Sequence, residues 1–284
     1  MCRILFLAIE MNDKSKSILD ILINSFIRAS EYDYYFEQYT KGARIRHDDG
    51  WGIAVGAIYR DYLALFHEKS ALPVFHDVSK TILYTMINKV KDFEKAYVIL
   101  HSRAASRTEP LGSENAHPFR EDYSLGILWL VHNGGINKKK IAKDIGIYPW
   151  IYIDSAVLTK YIAKKIDSCV KNCSDIPNCV SEIYREVYDK YLDRCLALVT
   201  GLLISCRDSV ELYASTPLKD SHTCSELKRK YYQVYMLEQD SISAMMSSTI
   251  RDFLISKVDI GVVDAGSVLV KIDIGKITKL LKFE

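Results

Sequence analysis

The sequence predicts an α+β fold in which sheets are covered by helices. Strand-like apolar runs dominate both ends of the chain and helical periodicity clusters between them, without the regular alternation that builds a parallel sheet. The length of 284 residues fits one large domain or two small ones. Because the chain contains no internal repeat and no Pro/Gly/Ser-rich linker, we predict a single domain over residues 1–284.

In the first half of the chain, each element is predicted from the spacing of its apolar residues. Residues 2–9 form an apolar run that is typical of a buried strand, whereas residues 15–38 carry apolar side chains at helical spacing. Two strand-like runs flank residues 59–61, which predicts a hairpin. We predict strands at residues 2–9, 51–58, 62–66 and 96–101, and helices at residues 15–38 and 79–93.

In the second half, a strand leads into a turn signal and two helices follow. Residues 125–131 are predicted as a strand that ends at His-Asn-Gly-Gly, residues 132–135, where Asn-Gly favours a turn. The runs 196–204 and 210–213 predict a second hairpin. We predict helices at residues 155–171 and 180–192, and further strands near residues 231–237, 244–249 and 268–273.

The composition is that of an ordinary soluble globular protein. A total of 38 Lys and Arg residues against 36 Asp and Glu gives a net charge of +2, which provides no basic surface for nucleic acid. No apolar run approaches the ~20 residues that span a membrane, and the first run lacks the basic region and cleavage site of a signal peptide. We therefore expect no nucleic-acid or membrane partner and a cytoplasmic location.

Seven cysteines are scattered along the chain without the pattern of a secreted disulfide framework, so we expect reduced thiols. Cys169 and Cys173 are four residues apart on a predicted helix and would share a face. Together with Cys179 they could bind a metal, but their spacing matches no standard zinc site. We predict buried or idle thiols there, with no metal and no cofactor.

Cys2 follows the initiator methionine and opens the first predicted strand. Removal of Met1 would leave a thiol and a free α-amine on the same residue. An α-amine with a pKa of about 7.7–8.0 can act as the general base for its own thiol, which gives a nucleophile that needs no histidine. The alternative is an ordinary apolar strand residue. The segments that follow favour the nucleophile.

Five downstream segments carry residue types that suit the cleavage of a carboxamide. A thiolate that attacks an amide carbon creates an oxyanion, which an Asn side-chain NH2 and a Gly backbone N–H can stabilise. An Arg fork suits the carboxylate of an amino-acid substrate, and an Asp suits its ammonium group. The segments are His-Asp-Asp-Gly-Trp-Gly-Ile-Ala at residues 47–54, His-Ser-Arg-Ala-Ala-Ser at 101–106, Asn-Ala-His-Pro-Phe at 115–119, Val-His-Asn-Gly-Gly at 131–135 and Tyr-Ile-Asp-Ser at 152–155.

In this order, behind a second-position cysteine, the segments resemble the glutaminase domain of class II glutamine amidotransferases, which are N-terminal-nucleophile hydrolases. The resemblance extends from Cys2 to about Ser155, and more weakly to Tyr-Ala-Ser-Thr-Pro-Leu at residues 213–218. It implies a four-layer αββα sandwich, glutamine as the substrate and a γ-glutamyl thioester as the intermediate. Cys2 would be the nucleophile with its own α-amine as base, and Asn133 and Gly134 would form the oxyanion hole.

The resemblance also implies which residues bind the amino-acid end of the substrate. Arg103 would bind the glutamine α-carboxylate, and the Ser106 hydroxyl and the loop around His117 would assist it. Asp154 would hold the substrate ammonium group. From its place at the start of a predicted helix, Asp154 or Ser155 could also be the helix N-cap.

The sequence departs from the family pattern in three respects. Arg107-Thr108 stands where family members often carry a Gly, in the loop that folds over substrate, and Thr216 stands where many relatives have Glu. In well-known relatives a synthase domain follows, whereas this sequence ends at Glu284, so we expect a free-standing glutaminase with a separate ammonia-accepting synthase subunit. Two alternatives remain: a γ-glutamyl amidase acting on a peptide or conjugate, and a non-catalytic partner subunit on the same fold.

Overall fold

The computed structural model describes residues 2–284, which contain two antiparallel β-sheets. The strands are β1 (Cys2–Glu10), β2 (Trp51–Tyr59), β3 (Tyr62–Ser70), β4 (Lys95–Arg103), β5 (Phe119–Tyr123), β6 (Gly126–Gly134), β7 (Leu198–Cys206), β8 (Ser209–Ser215), β9 (Val234–Gln239), β10 (Ile242–Ser247), β11 (Val263–Asp264), β12 (Val268–Asp273) and β13 (Lys276–Lys282). The α-helices are α1 (Asp13–Glu31), α2 (Tyr34–Tyr39), α3 (Asp77–Val90), α4 (Lys138–Ile145), α5 (Asp154–Cys169), α6 (Ile176–Tyr191), α7 (Glu226–Tyr232) and α8 (Ser248–Ile255). The strand order is β11-β9-β10-β1-β4-β2-β3 in the first sheet and β13-β12-β8-β7-β6-β5 in the second.

Strand β1 lies inside the first sheet, between β10 and β4, and its two faces enter different apolar cores. Ile4 and Phe6 belong to the core that also contains second-sheet residues, whereas Leu5 and Leu7 belong to the core formed with helices. Because successive side chains of a strand lie on opposite faces, a strand covered on both sides must be apolar throughout. This explains why residues 2–9 are apolar at every position except Arg3, whose buried charge is paired with Asp33.

Three apolar cores separate four layers of structure. The central core lies between the two sheets and includes Phe6 and Trp129. Helices α1, α3 and α8 cover the outer face of the first sheet, and α4, α5 and α6 cover the outer face of the second. The predicted α+β fold, an αββα sandwich, is therefore confirmed. None of the helices in residues 2–284 is long and apolar enough to cross a bilayer.

The predicted helix at residues 15–38 is two helices. α1 ends at Glu31, and Tyr32 adopts an extended backbone. Asp33 then begins α2, since its carboxylate accepts a hydrogen bond from the backbone N–H of Phe36 at 3.1 Å. Apolar periodicity continues across both helices, so it could not show the break that this buried cap introduces.

Two expectations about local structure were wrong. Asn133 and Gly134 do not form a hairpin turn, because they pair with Val199 and Leu198 and so extend β6 to its end. The N-cap of α5 is Ile153 rather than Asp154 or Ser155. The short elements β5, β13 and α8 were not predicted, since polar residues interrupt their apolar patterns.

The predicted idle thiols were also wrong, because six of the seven cysteines form disulfide bonds in the described residues. Sequence spacing could not reveal the pairs, since they join separate segments that meet only in the folded chain: α5 to α6, the turn before α6 to β7, and the loop before β7 to the loop before α7. Cys2 is the cysteine that remains free among residues 2–284. The bonds are Cys169–Cys179, Cys173–Cys206 and Cys195–Cys224, with Cα atoms 6.1, 5.7 and 5.6 Å apart.

Candidate active site

Cys2 lies at the start of β1 and is buried. Its backbone nitrogen donates a hydrogen bond to Oδ1 of Asn133 at 3.0 Å, and its carbonyl oxygen accepts one from the Tyr231 hydroxyl at 3.3 Å. Within the first sheet it pairs with Arg103 of β4. Because Asn133 is near the end of β6 in the second sheet, Cys2 lies at one end of the sandwich, between the sheets.

A cavity of about 20 Å³ adjoins Cys2. A space of this size holds about one water molecule. Asn133 contacts Cys2 directly without being part of the cavity lining, and Ser106 lies outside the lining. The predicted site residues that line the cavity are Cys2, Arg103, His117, Gly134 and Asp154.

Arg103 ends β4, and its side chain is only 2% exposed. Its backbone N–H donates to the carbonyl oxygen of Gly50 at 2.8 Å, which anchors the strand end. In the side chain, Nη1 donates to the carbonyl oxygen of Pro110 at 2.9 Å, and Nη2 lies 3.4 Å from Oε2 of Glu109. A buried guanidinium beside Cys2 is therefore paired with a carboxylate of the chain itself.

The loop after Arg103 contains one predicted residue, Ser106, and one that was missed, Glu109. Ser106 is exposed, and its backbone N–H donates to Oε2 of Glu109 at 2.9 Å. Ser106 lines an open cleft of about 510 Å³, while Glu109 lines both that cleft and the cavity at Cys2. An acidic residue in a polar loop carries no distinctive sequence signal, so only its place six residues after Arg103 could have drawn attention to it.

The beginning of this loop is held by Arg44 and Asp49. Oδ2 of Asp49 accepts the backbone N–H of Ala105 at 2.7 Å, and Nη1 of Arg44 donates to the carbonyl oxygen of Ala105 at 3.0 Å. The two side chains also form an ion pair at 2.8 Å. The backbone N–H of Asp49 donates to the carbonyl oxygen of Arg103 at 3.0 Å. These contacts position the end of β4 that carries Arg103.

The end of β6 is connected to the first turn of α5. A Cβ atom at Gly134 would lie 1.8 Å from the carbonyl oxygen of Ala197. The close approach of the end of β6 to the backbone just before β7 therefore requires glycine at this position. Nδ1 of His132 lies 3.1 Å from Oγ of Ser155. The backbone N–H of Ser155 donates to Oδ1 of Asp154 at 2.8 Å. These contacts place the Asp154 carboxylate beside the cavity.

Two buried histidines pack against each other next to the cavity. The rings of His101 and His117 have centroids 3.9 Å apart. Burial, reinforced by the positive charge of Arg103 nearby, holds the pKa of both imidazoles well below the usual value, so both are neutral at pH 7. Neither ring nitrogen of His117 has a hydrogen-bond partner within residues 2–284. A neutral ring that lines the cavity can exchange hydrogen bonds with a ligand.

A buried ion pair that sequence reasoning missed lies beside Cys2. The fully buried Arg3 pairs with Asp33, and Nε2 of His47 donates to the same carboxylate at 2.7 Å. Burial alone would raise the pKa of Asp33, but the charge of Arg3 and the hydrogen bond from His47 outweigh it and hold that pKa well below its usual range. Arg3 also donates to the carbonyl oxygen of Tyr231 at 3.2 Å. The pair thus fixes the residue whose hydroxyl binds the Cys2 carbonyl.

A larger cavity, of about 410 Å³, lies at the same end of the sandwich. Its lining includes Thr216, which follows β8 two strands from β6, and Tyr232, which precedes β9 two strands from β1. Neighbouring strands lie ~4.8 Å apart, and two strand spacings separate these lining residues from β1 and β6. The cavity therefore begins roughly 10 Å from Cys2 and Asn133. Side chains of both charge signs line it: Glu226, Arg229, Lys230 and Asp264.

Comparison with known proteins identifies a family over most of the chain. Residues 29–240 match the sequence profile of the family described as "Glutamine amidotransferases class-II". The matched span contains Arg103, Asn133 and Asp154 and begins after Cys2. A search among curated proteins gave no significant match.

Two solved structures share the fold. Over 98% of its length the chain is similar to the glutamine phosphoribosylpyrophosphate amidotransferase from B. subtilis complexed with ADP and GMP, with 16% identity and a TM-score of 0.51. Over 97% it is similar to a structure described as the allosteric regulatory enzyme of purine biosynthesis, again with 16% identity and a TM-score of 0.51. It spans only 49% and 48% of those two chains. A predicted glutamine amidotransferase from Pseudomonas aeruginosa PA01 matches with 14% identity and a TM-score of 0.37, over 98% of this chain and 92% of that one.

Proposed function

Because the chain belongs to the class-II glutamine amidotransferases, we propose that it hydrolyses the side-chain amide of glutamine with Cys2 as an N-terminal nucleophile. The observation that carries the proposal is the 3.0 Å hydrogen bond from the Cys2 nitrogen to Oδ1 of Asn133, beside a cavity lined by Arg103 and Asp154. This arrangement supports a site with a nucleophile, an oxyanion donor and a partner for each charged group of an amino acid.

The mechanism requires Cys2 to be the first residue of the mature chain. Removal of Met1 converts the Cys2 nitrogen from an amide into an α-amine, which with a pKa of about 7.7–8.0 can take the proton of the thiol. Oδ1 of Asn133, which accepts a hydrogen bond from this nitrogen, would orient the amine. The NH2 of the same side chain would remain free to donate to substrate.

Amide cleavage would proceed through two displacement steps. The Cys2 thiolate attacks the amide carbon, and the Asn133 NH2 and the Gly134 N–H stabilise the oxyanion that forms. Removal of one such donor typically raises the activation free energy by about 2.7–4 kcal/mol. The oxyanion collapses, the C–N bond breaks, and the Cys2 ammonium returns its proton to the departing ammonia. Water, which gives a proton to the α-amine, then attacks the γ-glutamyl thioester, so that glutamate leaves and the thiol is regenerated.

Three side chains would bind the amino-acid end of glutamine. Arg103 would pair with the α-carboxylate and Asp154 with the ammonium group, both as charge-assisted hydrogen bonds. His117, neutral and without a protein partner for its ring nitrogens, would bind a polar atom of the substrate. Ser106 would assist Arg103 only after the loop moves, since it is exposed and lies outside the cavity.

The first test is the intact mass of the protein after incubation with a glutamine-mimicking thiol alkylator, with Cys2→Ala as the control. We expect a single adduct, because the other six cysteines are in disulfides. The same spectrum reports the loss of Met1. A single adduct that disappears in Cys2→Ala, together with Cys2-dependent glutamate release, supports the proposal. Retained Met1, or adducts on other cysteines, would instead favour a non-catalytic partner subunit.

A second candidate keeps the chemistry and changes the leaving group. The cavity of about 410 Å³ at the same end of the sandwich favours a γ-glutamyl amidase that acts on a peptide or conjugate, because only an amine long enough to extend the roughly 10 Å from Cys2 would reach it. A panel of γ-glutamyl amides with amines of increasing size separates the two candidates. For the amidase, kcat/KM should exceed that of glutamine for the larger amines, whereas the first candidate should prefer glutamine.

If ammonia is the product, we propose that a synthase partner consumes it, because the matched family is that of glutamine amidotransferases. The chain spans about half the length of the two solved relatives that share its fold. A partner of this kind should increase Cys2-dependent glutamate release when its own substrate is present.

A further inference from the structure

We propose that Tyr231 is a positioning residue for Cys2: its hydroxyl takes the place of a missing strand partner and holds the nucleophile in the orientation that attack requires. The inference rests on the proposed function, in which Cys2 attacks the amide carbon. Tyr231 lies in the last turn of α7, 229 residues from Cys2 in sequence, and its side chain is fully buried. It contacts the backbone of Cys2 and therefore acts through that residue.

Within residues 2–284, the start of β1 has no neighbouring strand on its β10 side. The two strands pair from Leu5 to Ile9, and β10 ends at Ser247, where the chain turns into α8. Oγ of Ser247 accepts the Ile4 N–H at 3.1 Å, so Ile4 directs its backbone groups to this side. Because residues two apart in a strand face the same neighbour, the backbone groups of Cys2 also need partners other than a strand.

Two side chains from separate parts of the fold supply these partners. Oδ1 of Asn133, in the second sheet, accepts from the Cys2 nitrogen at 3.0 Å, and the Tyr231 hydroxyl donates to the Cys2 carbonyl oxygen at 3.3 Å. Burial holds the pKa of Tyr231 well above its usual value, so the hydroxyl keeps its proton and donates. The first residue of a chain is poorly ordered unless it is tied down. With both backbone groups held, the directions of the α-amine and the thiol are fixed relative to substrate.

Tyr231 is itself held by Arg3, the residue that follows Cys2. Nη1 of Arg3 donates to the carbonyl oxygen of Tyr231 at 3.2 Å, and the guanidinium carbon lies 4.5 Å from the centroid of the Tyr231 ring. A cation at this distance is attracted to the face of an aromatic ring. Asp33 neutralises the buried Arg3. Tyr231 therefore contacts two consecutive residues of β1, the first through its hydroxyl and the second through its ring and backbone.

Aromatic packing and a disulfide bond restrict the movement of Tyr231 further. The ring of Tyr39 stacks on that of Tyr231 with centroids 5.3 Å apart, and the ring of Phe36 lies 5.7 Å away. Both rings belong to α2. Cys224, two residues before α7, is bonded to Cys195 in the loop before β7. The hydroxyl is thus presented to Cys2 from a fixed position.

The test compares Tyr231→Phe with Tyr123→Phe. The first substitution removes the hydroxyl and keeps the ring, and with it the packing around α7. The second is the matched control, because buried Tyr123 also donates to a backbone carbonyl, that of Ser205 at 2.8 Å. Tyr123 pairs with Gly126, at the opposite end of β6 from Asn133. Each protein is measured for kcat and KM with glutamine, and for hydrogen exchange of the backbone amides at the start of β1 by NMR.

We expect Tyr231→Phe to lower kcat about three- to tenfold, the effect of one neutral hydrogen bond, with KM little changed. KM should be retained because the residues that bind the amino-acid end of glutamine are untouched. The amides of Arg3 and Ile4 should exchange faster by about the same factor, since the start of β1 is less well held. Tyr123→Phe should match the wild type in kcat, in KM and in the exchange of these two amides.

The two readouts separate the role of Tyr231 from the proposed function, because hydrogen exchange needs no turnover of glutamine. Unchanged kcat and exchange in a Tyr231→Phe enzyme that hydrolyses glutamine would overturn the positioning role alone. A higher KM with unchanged kcat would also overturn it, because the hydroxyl would then serve substrate binding. Faster exchange in proteins that never hydrolyse glutamine would support the hold of Tyr231 on Cys2 and overturn the proposed function.

Discussion

At the scale of single residues, Asn133 and Asp154 each combine a structural contact with a proposed contact to substrate. Oδ1 of Asn133 holds the Cys2 nitrogen, while its NH2 is proposed to hold the oxyanion. Oδ1 of Asp154 accepts the backbone N–H of Ser155, and Oδ2 would lie 3.9 Å from a Cβ atom at Gly135, towards the end of β6. In the proposed function, the NH2 of Asn133 and Oδ2 of Asp154 are the atoms that contact substrate.

Asp154→Asn tests the proposed ammonium site. An amide keeps one acceptor for the Ser155 N–H but loses the charge that attracts an ammonium group. A hydrogen bond to a charged group contributes about 1.5–3 kcal/mol, so the binding free energy of glutamine should weaken by about that amount. We expect KM for glutamine to rise about ten- to hundredfold with kcat little changed. Asp167→Asn is the matched control, since Asp167 is on the same helix and its carboxylate accepts from Ser124 away from the cavity. An unchanged KM in Asp154→Asn would remove this residue from the binding site.

At the scale of elements, the position of Cys2 depends on how closely β1 and β7 approach each other across the central core. Gly201 of β7 faces Phe6 of β1, and a Cβ atom at Gly201 would lie 2.4 Å from a ring carbon of Phe6. The absence of a side chain at Gly201 therefore sets the separation of the two sheets at this point. Periodicity predicted both strands, but it carries no information on which residues meet between sheets.

Gly201→Ala should destabilise the protein by overpacking the central core. The added methyl group must displace the Phe6 ring or separate the sheets, which typically costs about 1–3 kcal/mol. Denaturant unfolding measures the loss, with Gly261→Ala as control, because a Cβ atom there meets nothing within 4 Å. Equal stability of the two variants would mean that the sheets adjust to the extra methyl group without cost.

At the scale of the whole molecule, burial controls the charge of groups far apart in sequence. His101 and His117 come from β4 and from the loop before β5, and both are held neutral because they are buried together. Asp33, between α1 and α2, is held ionised by Arg3 of β1. Each of these states exists only in the folded chain, so each makes stability depend on pH.

We expect stability to fall as the pH decreases from 7 to 5. Below the ordinary histidine pKa of 6.5, the unfolded chain binds protons that buried His101 and His117 cannot bind, so stability is lost at about 1 kcal/mol per pH unit for each. His117→Gln should reduce this slope, whereas exposed His222→Gln should leave it unchanged. Unfolding free energies at pH 7.5, 6.5 and 5.5 give the slopes, and identical slopes for His117→Gln and wild type would contradict the assignment.

A second loss is expected at lower pH. The depressed pKa of Asp33 contributes stability that is fully present above the unfolded value of 3.8 and is lost as the pH falls below it. Breaking a buried pair costs about 3–5 kcal/mol, so Asp33→Asn should be destabilised by that amount at pH 7 and by less at pH 3. A difference from wild type that does not shrink between the two pH values would argue against an ionised Asp33.

The sequence by itself determined the α+β fold class, the main strands and helices, and the residue types around the proposed nucleophile, whereas the αββα arrangement was implied by the resemblance of its motifs to the family. These follow from local information: an apolar run marks a strand covered on both faces, and short motifs retain their chemistry wherever they are placed. Their predicted catalytic roles remain to be tested.

Only the tertiary structure decided which groups meet. It paired six cysteines, joined Arg3 to Asp33, and brought Glu109 onto Arg103 beside Cys2. Such contacts depend on the register of strands and on the packing of layers, and no sequence pattern encodes them directly because the partners are distant or lie in irregular loops. Burial then determines whether the titratable groups among them are ionised. An unpaired charge in the interior is unfavourable, so each buried charged group depends on its neighbour.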